Sequence, residues 1–407
     1  MRVAVIGQGY VGLTVSMGAL SGGHQVVGVD INEGIVENLN RGQSHIEGVV
    51  DADVGKAITS GTFQVTSDFR KVKDSDIVVI AVPTPLNHAG RPDISLLESA
   101  LRDIAPHLSD STLVVNESTS FIGTLRNVIA KLINEINPRI TDFAVSPERV
   151  DPGNVKYGLK NTPRVIGGLN AISTRRAVEF YASFCDHIVA VSSPEVAEAS
   201  KLLENSFRFV NIGFVNEFTK IMDALNIPIS EVISAASTKP YGFMTFFPNV
   251  GIGGHCIPVD PLYLQENAKS VNVPSQYIDL SQKLNMEMPE YAVLRLESLF
   301  GPLHGRNVLL VGITYKPDIA DTRETPAESI ILSLKKRGVR VSWHDPLVSE
   351  FSGEKSSPIQ GEYDLALVLV KHQVLDLEAW IGKPIYSVNS TPSEPDWIPL
   401  FGSHNRK

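Results

Sequence analysis

The N-terminal segment Val3–Gly12 constrains the fold more than any other part of the chain. A β-branched run, Val3–Ile6, leads into Gly7-Gln-Gly-Tyr-Val-Gly12, and Leu13–Leu20 has the composition of a first helix. In a dinucleotide-binding unit the first glycine allows a tight turn. The second lets the pyrophosphate approach the backbone, and the third lets the helix pack on the strand. We therefore predict a dinucleotide whose diphosphate lies at the helix N-terminus.

A carboxylate after the second predicted strand distinguishes between the two nicotinamide dinucleotides. His24–Val29 is a strand-like run that ends in Asp30, 18 residues after Gly12. A carboxylate at this place accepts hydrogen bonds from the adenosine ribose and repels a 2′-phosphate. Ile31-Asn32 supplies no arginine to bind such a phosphate, so NAD is predicted over NADP. The alternative is an ordinary βαβ unit whose glycines serve only packing.

Polar residues follow three more predicted strands, Asp76–Val82, Thr112–Val115 and Phe143–Val145. Ligands bind beyond the carboxyl ends of the strands in an open parallel sheet, so these residues are placed to contact cofactor or substrate. They are Thr84, Thr119 and Glu148. Simpler roles remain open, because the threonines are also suited to cap helices or form turns and the glutamate could be a solvated carboxylate.

One long helix is predicted from Pro194 to Leu225, roughly 32 residues or about 48 Å. A helix of this length commonly joins two domains or forms a dimer core. Lys201 and Asn205 are four residues apart and therefore share a helix face. Neighbouring apolar residues predict that this part of the helix is mostly buried, and a buried lysine needs a reason. These neighbours are Leu202, Leu203, Phe207 and Phe209.

The segment Gly251–Asp260 contains one of the two cysteines of the chain. Three of its first four residues are glycines, which remove Cβ atoms where a ligand approaches the backbone. Asp260 lies four residues after Cys256. A structural thiol would more often lie in a regular apolar element, and this role remains the alternative for Cys256. The other cysteine, Cys185, is predicted to be an inert core thiol.

The C-terminal part is predicted to form a second α/β sheet without a glycine fingerprint. Residues from Ile229 to about Leu299, apart from the glycine-cysteine segment, are predicted to be mainly helical. A strand is predicted to follow at Val308–Thr314. Lys316 and Arg323 come after this strand, where two cations suit the phosphates of a second nucleotide. The alternative is surface pairing with the nearby carboxylates of Asp318, Asp321 and Glu324. The remaining predicted elements are a helix at Pro326–Arg337 and strands at Val339–Trp343, Asp364–Val370 and Ile385–Val388.

These elements predict an α/β protein with two Rossmann-like parallel-sheet domains joined by a long central helix and a small all-helical domain. The predicted domains are residues 1–192, 193–300 and 301–407. A length of 407 residues is consistent with two or three domains.

Composition restricts the partners. A net charge of -9 argues against a nucleic-acid or acidic-membrane partner. No run approaches the ~20 apolar residues that a membrane span needs. The two cysteines lie 71 positions apart and form no zinc or disulfide pattern, so we expect no metal site. Without a signal peptide, the reducing cytoplasm is the expected compartment.

With these motifs in place, the chain resembles the nucleotide-sugar 6-dehydrogenases, the family of UDP-glucose, UDP-N-acetylglucosamine and UDP-N-acetylmannosamine dehydrogenases. The likeness covers nearly the whole chain and is weakest over residues 345–407. Its most specific element is GGHCIPVDPLYL at Gly253–Leu264. Supporting motifs are Gly7–Gly12, Val82–Pro85, Glu117–Thr119, Ser146–Asn154, Lys201 with Asn205, and Tyr315–Pro326.

The resemblance implies oxidation of a sugar CH₂OH to a carboxylate by two NAD⁺, without release of the aldehyde, and a role in polysaccharide biosynthesis. It implies a UDP-sugar substrate and a homodimer built through the long helix. Cys256 would be the nucleophile, with catalytic neighbours Lys201, Asn205, Asp260, Glu148 and Thr119. Implied substrate contacts are Glu148, Arg149, Lys201, Asn205, Gly251, Gly254 and Lys316. Implied cofactor contacts are Gly7, Gly9, Tyr10, Val11, Gly12, Asp30, Thr84, Thr119 and Arg323.

Two stretches are similar to the N-acetylhexosamine branch of the family, which uses UDP-GlcNAc or UDP-ManNAc. Ser146–Val150 is SPERV where the UDP-glucose enzymes usually have an NPEFL-type motif, and Ser237–Gly242 followed by Phe-Phe-Pro is similar to the UDP-N-acetylglucosamine enzymes. Arg149 would approach the acetamido group or a diphosphate. UDP-glucose 6-dehydrogenase is the alternative.

Two further alternatives belong to other classes. A two-electron β-hydroxyacid-type dehydrogenase would have a lysine–asparagine pair but lacks the cysteine motif and a second nucleotide domain. A catalytically silent NAD-binding scaffold would predict erosion at Cys256, Lys201 or Asp260, and all three are present.

Overall fold

Two mostly parallel sheets organise the chain. The structure is a computed structural model that describes residues 1–46, 48–87, 89–151, 154, 156–377, 380, 382–388 and 396–402. The chain divides into two compact units, Met1–Glu204 with Leu262–Val273, and Asn205–Pro261 with Pro274–Lys407. The predicted helical domain, residues 193–300, is therefore divided between both units. Pro152 and Gly153 of the Ser146–Asn154 motif lie outside the described residues, as does part of the predicted domain 301–407.

The first unit contains an eight-stranded sheet of order β3-β2-β1-β4-β5-β6-β7-β8. All neighbours pair in parallel except β6 and β7, which are antiparallel. The sequence did not predict β3, β7 or β8. The strands are β1 (Arg2–Ile6), β2 (Gln25–Val29), β3 (Phe63–Thr66), β4 (Ile77–Ile80), β5 (Leu113–Asn116), β6 (Asp142–Val145), β7 (Arg164–Gly168) and β8 (Ile188–Ala190).

Helices cover both faces of this sheet, as is usual for parallel strands, and the strands are therefore buried on both sides. In β1, Val3 and Val5 belong to one apolar core, while Ala4 and Ile6 belong to the core on the opposite face. This alternation explains why the run is apolar throughout instead of at every second residue. The helices are α1 (Tyr10–Ser21), α2 (Glu33–Asn40), α3 (Asp51–Thr59), α4 (Ser95–Ile104), α5 (Lys131–Ile136) and α6 (Ala171–Tyr181).

The long helix α7 extends from Pro194 to Leu225, so both predicted ends are confirmed. Leu202 and Phe209 are buried as predicted, but Leu203 and Phe207 are 67% and 46% exposed. The prediction that this part of the helix is mostly buried therefore holds for one face only. Consecutive residues of a helix point about 100° apart, so apolar residues next to a buried position can lie on the opposite face.

The second unit contains a five-stranded sheet of order β10-β9-β13-β14-β15, in which every neighbour pairs in parallel. Alternate residues of β9 again lie in two cores, Val308 and Leu310 in one and Leu309 and Val311 in the other. The strands of this sheet are β9 (Asn307–Val311), β10 (Arg340–His344), β13 (Leu365–Val368), β14 (Ile385–Ser387) and β15 (Ile398–Pro399). A separate antiparallel hairpin consists of β11 (Glu350–Phe351) and β12 (Glu354–Lys355).

The remaining helices complete this layout. They are α8 (Ile229–Ser237), α9 (Asp260–Ser270), α10 (Gln276–Phe300) and α11 (Ala327–Lys336). Helix α9 begins where the glycine-cysteine segment ends, and α11 packs against α10 and β10. The prediction of an α/β protein with two Rossmann-like parallel sheets is confirmed.

Candidate active site

Three glycines build the turn between β1 and α1. Gly7 has a φ of +86°, and a Cβ on it would lie 2.5 Å from the carbonyl oxygen of Ala81. A Cβ on Gly12 would lie 1.8 Å from the carbonyl oxygen of Gly7. A Cβ on Gly9, by contrast, would meet no atom within 4 Å. The backbone is therefore tightly packed at Gly7 and Gly12, whereas Gly9 leaves space for a pyrophosphate at the helix N-terminus.

Asp30 lies beside this turn, at the end of β2. Its carboxylate accepts hydrogen bonds from the backbone N–H groups of Gln8 at 2.7 Å and Asn32 at 2.9 Å. Tyr10 and Val11 begin α1 and line a small cleft with Glu148. The open backbone at Gly9 and the adjacent carboxylate fit the diphosphate and adenosine ribose of NAD.

Thr84 and Thr119 follow β4 and β5, which are neighbours in the sheet. The carbonyl oxygen of Thr84 accepts a hydrogen bond from the Tyr263 hydroxyl at 3.1 Å. The Ser118 hydroxyl, next to Thr119, donates to the carbonyl oxygen of Val82 at 2.8 Å. These bonds tie the two segments together at the carboxyl edge, where the sequence predicted cofactor contacts.

Lys201 and Glu148, two predicted catalytic residues, lie together in the first unit. The Lys201 ammonium donates to the backbone carbonyl of Glu148 at 2.6 Å and lies 3.9 Å from its carboxylate. Lys201 is buried, and a buried ammonium requires partners of this kind. The predicted burial of Lys201 is thereby confirmed.

Arg149 is held by two partners within the first unit. Its guanidinium makes a two-point ion pair with Glu204, with N–O distances of 2.7 and 3.1 Å. It also donates to the carbonyl oxygen of Pro163 at 2.6 Å. The planar fork of arginine suits such a pair. Any contact of Arg149 with a substrate would therefore use a side chain whose direction Glu204 sets.

In the second unit, the glycines before Cys256 pack directly on the segment that follows β9. A Cβ on Gly253 would lie 2.7 Å from Tyr315 and 2.8 Å from the carbonyl oxygen of Glu324. A Cβ on Gly254 would lie 2.8 Å from the Tyr315 ring. The Gly254 N–H donates to the carbonyl oxygen of Arg323 at 3.1 Å. The most specific sequence motif, Gly253–Leu264, thus contacts the supporting motif Tyr315–Pro326, and this close contact explains the glycines.

Gly251 begins the same loop with a φ of +139°, a conformation that favours glycine. Cys256 is half-buried, and its carbonyl oxygen accepts the N–H of Asp260 at 2.8 Å. The Asp260 carboxylate in turn accepts a hydrogen bond from the Asn205 amide at 2.5 Å. Both Asn205 and Asp260 are buried. The structure therefore brings together Asn205 and Asp260, at the start of the helix that follows the cysteine.

Lys316 and Arg323 both lie on the segment after β9. Arg323 makes an ion pair with Asp321, with N–O distances of 2.5 to 3.1 Å. The alternative prediction, that Arg323 pairs with a nearby carboxylate, is therefore what the structure shows for this residue. Hydrogen bonding to Asp321 raises the pKa of Arg323, and Cys256 is close enough to contribute to the rise. Lys316 is half-buried, and its backbone carbonyl is bound by the Thr314 hydroxyl at 3.0 Å.

Among the described residues, no group of three or more His, Cys, Asp or Glu side chains is placed to hold a metal ion. Within the same residues, no helix is both long and apolar enough to cross a membrane.

Cys185 is buried, and burial raises the pKa of its thiol to about 11. The burial of Cys185 and the raised pKa of its thiol agree with the inert core role predicted for this residue.

Three domain models of one protein family match the chain in order. The NAD binding domain of the UDP-glucose/GDP-mannose dehydrogenase family matches residues 1–185, its central domain residues 195–287, and its UDP binding domain residues 309–381. The chain belongs to the UDP-glucose/GDP-mannose dehydrogenase family.

Individual members of this family support the assignment. The chain is similar to UDP-N-acetyl-D-mannosamine dehydrogenase of Methanococcus aeolicus, with 36% identity over 86% of this chain and 79% of the relative. It is also similar to the enzyme of that name from Pyrococcus horikoshii, with 32% identity over 94% and 93% of the two chains.

Solved structures of family members have the same fold. UDP-D-ManNAc dehydrogenase from Pyrococcus horikoshii superposes with a TM-score of 0.87 at 31% identity, covering 96% of this chain and 97% of the other. A UDP-glucose dehydrogenase from Pyrobaculum islandicum gives 0.89 at 27% identity, covering 97% and 96%. The predictions of a nucleotide-sugar dehydrogenase and of NAD as its cofactor are confirmed by the family.

Two buried groups of charged residues in the first unit were not predicted from the sequence. The first is Glu198, whose carboxylate accepts the N–H groups of Gly123 at 2.5 Å and Leu125 at 2.9 Å. Burial raises the pKa of Glu198 to about 7, although these two N–H groups favour the ionised form. Glu198 thus anchors the segment that follows Thr119. Its position one turn before Lys201 on α7 was the available hint.

The second group is a buried ion pair between Glu117 and Arg164. The Tyr181 hydroxyl donates to Glu117 at 2.5 Å, and the Arg164 guanidinium lies 4.5 Å from the centre of the Tyr181 ring. Arg164 also donates to the Ser146 hydroxyl at 3.0 Å, two residues before Glu148. No spacing in the sequence connects residues 117, 164 and 181, so this group could only be found in the structure.

Proposed function

We propose that this enzyme oxidises the C6 hydroxymethyl group of a UDP-N-acetylhexosamine to the uronic acid with two NAD⁺. UDP-ManNAc is the favoured substrate, since the relatives described above include UDP-N-acetyl-D-mannosamine dehydrogenases. The SPERV stretch at Ser146–Val150 supports an acetamido sugar over UDP-glucose. UDP-glucose is the second candidate, because a UDP-glucose dehydrogenase is among the similar structures.

The main support is the packing of the cysteine loop on the segment that contains Lys316. Gly253 and Gly254 lie against Tyr315, one residue before Lys316. A cation that binds the UDP diphosphate would therefore lie on a segment that packs directly against the loop of the thiol that attacks C6. An ordinary alcohol dehydrogenase needs neither the thiol nor the second nucleotide site.

The first oxidation converts the C6 alcohol to an aldehyde. Bound NAD⁺ supplies the acceptor for one hydride in each of the two oxidations. Asp260 takes the hydroxyl proton, directly or through a water, while Lys201 and Asn205 stabilise the negative charge that develops on the oxygen. The hydrogen bond between Asn205 and Asp260 fixes the direction of both side chains.

Cys256 then adds to the aldehyde carbon and forms a thiohemiacetal, which keeps the aldehyde bound. Loss of a second hydride and the hydroxyl proton gives a thioester. Water, activated by Glu148 or Asp260, attacks this carbonyl, and the C–S bond breaks to release the acid and the thiol. Per sugar, one CH₂OH and one water become one carboxylate, with two hydrides and three protons released.

Counting NADH per mole of sugar tests this proposal. UDP-ManNAc, UDP-GlcNAc and UDP-glucose are compared as substrates, and two NADH per sugar are expected with an N-acetylhexosamine. Cys256→Ala should abolish acid formation, whereas Cys185→Ala, the matched control at the buried cysteine, should retain it. One NADH per sugar, or full acid formation by Cys256→Ala, would contradict the thioester route. Two NADH with UDP-glucose alone would overturn only the substrate.

We also propose a homodimer built through α7. Four large apolar residues of this helix recur at intervals of seven, seven and four and are 46 to 61% exposed. Seven-residue spacing places them along one stripe of the helix, as in helix-helix interfaces. They are Phe207, Phe214, Ile221 and Leu225. Light scattering after size-exclusion chromatography should give a molar mass twice that of the chain. Phe214→Glu should lower the measured mass toward that of the monomer.

A cytoplasmic location is part of the same proposal. Cys185 and Cys256 are both in the thiol form in the structure. Cys256 must stay reduced to act as a nucleophile, and the cytoplasm provides this condition. Cell fractionation should recover the enzyme in the soluble cytoplasmic fraction.

A further inference from the structure

A fully buried imidazole lies behind the segment that contains Lys316. His372 follows β13 and has no exposed surface. Its Nδ1 accepts the backbone N–H of Asp318 at 2.9 Å. Its Nε2 lies 3.1 Å from a carboxylate oxygen of Asp345 and 3.2 Å from the Thr314 hydroxyl. The imidazole therefore contacts both ends of the turn Thr314–Asp318.

These contacts assign the tautomer of the ring. An N–H donor can bind Nδ1 only when this nitrogen is unprotonated, so the proton of the neutral imidazole lies on Nε2 and points to Asp345. Asp345 is itself fixed, because its carboxylate accepts the N–H groups of Ile313 at 2.8 Å and Leu347 at 2.8 Å. Asp345 thus holds His372 in one orientation.

The turn held by this imidazole has a backbone conformation that needs support. Asp318 has a φ of +61°, which is uncommon for residues other than glycine. Two bonds hold it there: its N–H donates to His372, and its carboxylate accepts the N–H of Gln373 at 2.7 Å. At the other end, the Thr314 hydroxyl donates to the carbonyl oxygen of Lys316. Lys316 is thereby fixed between two residues that contact His372.

We propose that His372 is a positioning residue for nucleotide binding: held by Asp345, it sets the conformation of Thr314–Asp318 and so the place of the Lys316 ammonium. The proposal rests on the function proposed above in one respect, the binding of a UDP diphosphate by Lys316. It adds that nucleotide affinity depends on a residue that does not itself contact the nucleotide.

Calorimetric titration of the full-length protein with UDP alone tests this proposal, because it measures binding without turnover. His372→Ala should weaken UDP binding at least about tenfold, or about 1.4 kcal/mol, since both ends of the turn lose a partner. His372→Asn, whose side-chain oxygen can replace Nδ1 as acceptor, should stay within about threefold of wild type. His344→Ala is the matched control: it removes a half-buried imidazole at the end of β10 that bonds to the Ser357 carbonyl, and UDP affinity should also stay within about threefold.

A double-mutant cycle with Lys316→Ala separates positioning from a general loss of structure. If His372 acts through Lys316, then Lys316→Ala should weaken UDP binding much less in the His372→Ala protein than in wild type. Additive effects, or a His372→Ala protein that binds UDP like wild type, would overturn the inference. KM for the UDP-sugar should rise while kcat at saturation stays near the wild-type value.

The proposed function fails in a different way. In that case wild type would not bind UDP, or Lys316→Ala would bind it equally well. Should His372→Ala not fold, the pair Thr314→Val and Thr314→Ser decides. Valine removes the hydroxyl that bonds to the Lys316 carbonyl and should weaken UDP binding, whereas serine keeps this bond and should restore the affinity. Equal affinity of these two variants would overturn the inference.

Discussion

Replacing Arg164 by methionine should destabilise the first unit by about 3–5 kcal/mol, the usual cost of leaving one charge of a buried ion pair without its partner. Glu117 would keep only the hydrogen bond from Tyr181. The variant would also lose the contact of the guanidinium with the Tyr181 ring and the bond to the Ser146 hydroxyl. The methionine side chain restores most of the volume, so the loss reflects charge more than packing.

Urea unfolding followed by circular dichroism measures this loss. All three tryptophans, Trp343, Trp380 and Trp397, lie in the second unit, so their fluorescence serves as an internal reference. Arg41→Met is the matched control, because Arg41 pairs with Glu37 on the surface with both side chains mostly exposed. Its free energy of unfolding should change little.

Two further measurements test the electrostatic reasoning. Substituting both partners, Glu117→Leu with Arg164→Met, should recover most of the lost stability, since no unpaired charge remains. Burial already raises the pKa of Glu117 in the wild-type protein. Without Arg164 the folded state should bind a proton at this carboxyl more readily than the unfolded state, so the variant should lose less stability at pH 5 than at pH 8. A loss as small as that of Arg41→Met would refute the argument.

Three other predictions concern single side chains. Glu198 has a folded pKa of about 7, above its ordinary value of 4.5, so wild-type stability should fall by up to about 3 kcal/mol as pH rises through this range; thermal melts of Glu198→Gln should lack this component. Lys201→Ala should lower kcat ~100-fold or more, whereas Lys220→Ala on the same helix should not, and a loss under threefold would make Lys201 structural. Gly253→Ala should raise KM for the UDP-sugar on the order of tenfold because its Cβ would overlap Tyr315, while Gly158→Ala, which meets no atom within 4 Å, should leave KM unchanged.

Much of the fold could be predicted because its determinants are local. The glycine turn at Gly7–Gly12 and the β-branched run before it specify a strand, a turn and a helix within a few residues of each other. The ends of α7 were predictable for the same reason, since Pro194 suits only the first turn of a helix. The rule that ligands bind at the carboxyl edge of a parallel sheet then predicted ligand contacts for Asp30, Thr84 and Glu148 without knowledge of any distance.

The partners of the site residues were not predictable in this way. The sequence indicated that Lys201 is buried, but not that its ammonium binds the carbonyl of Glu148. It singled out Arg149 without the ion pair to Glu204. It also predicted that the part of α7 around Leu203 and Phe207 is mostly buried, whereas the structure exposes both of these side chains. A helical pattern shows which residues lie on one face, but not which face another element covers.

The sequence by itself determined the two Rossmann-like sheets, the long helix, the dinucleotide turn and the cysteine loop, because each depends on residues close together in the chain. Only the tertiary structure decided the pairs Glu117–Arg164 and His372–Asp345, and the packing of Gly253 and Gly254 on Tyr315. These contacts join residues tens of positions apart, and chain topology brings them together. Burial then makes each polar pairing obligatory, since a charge without a partner is costly once water is excluded.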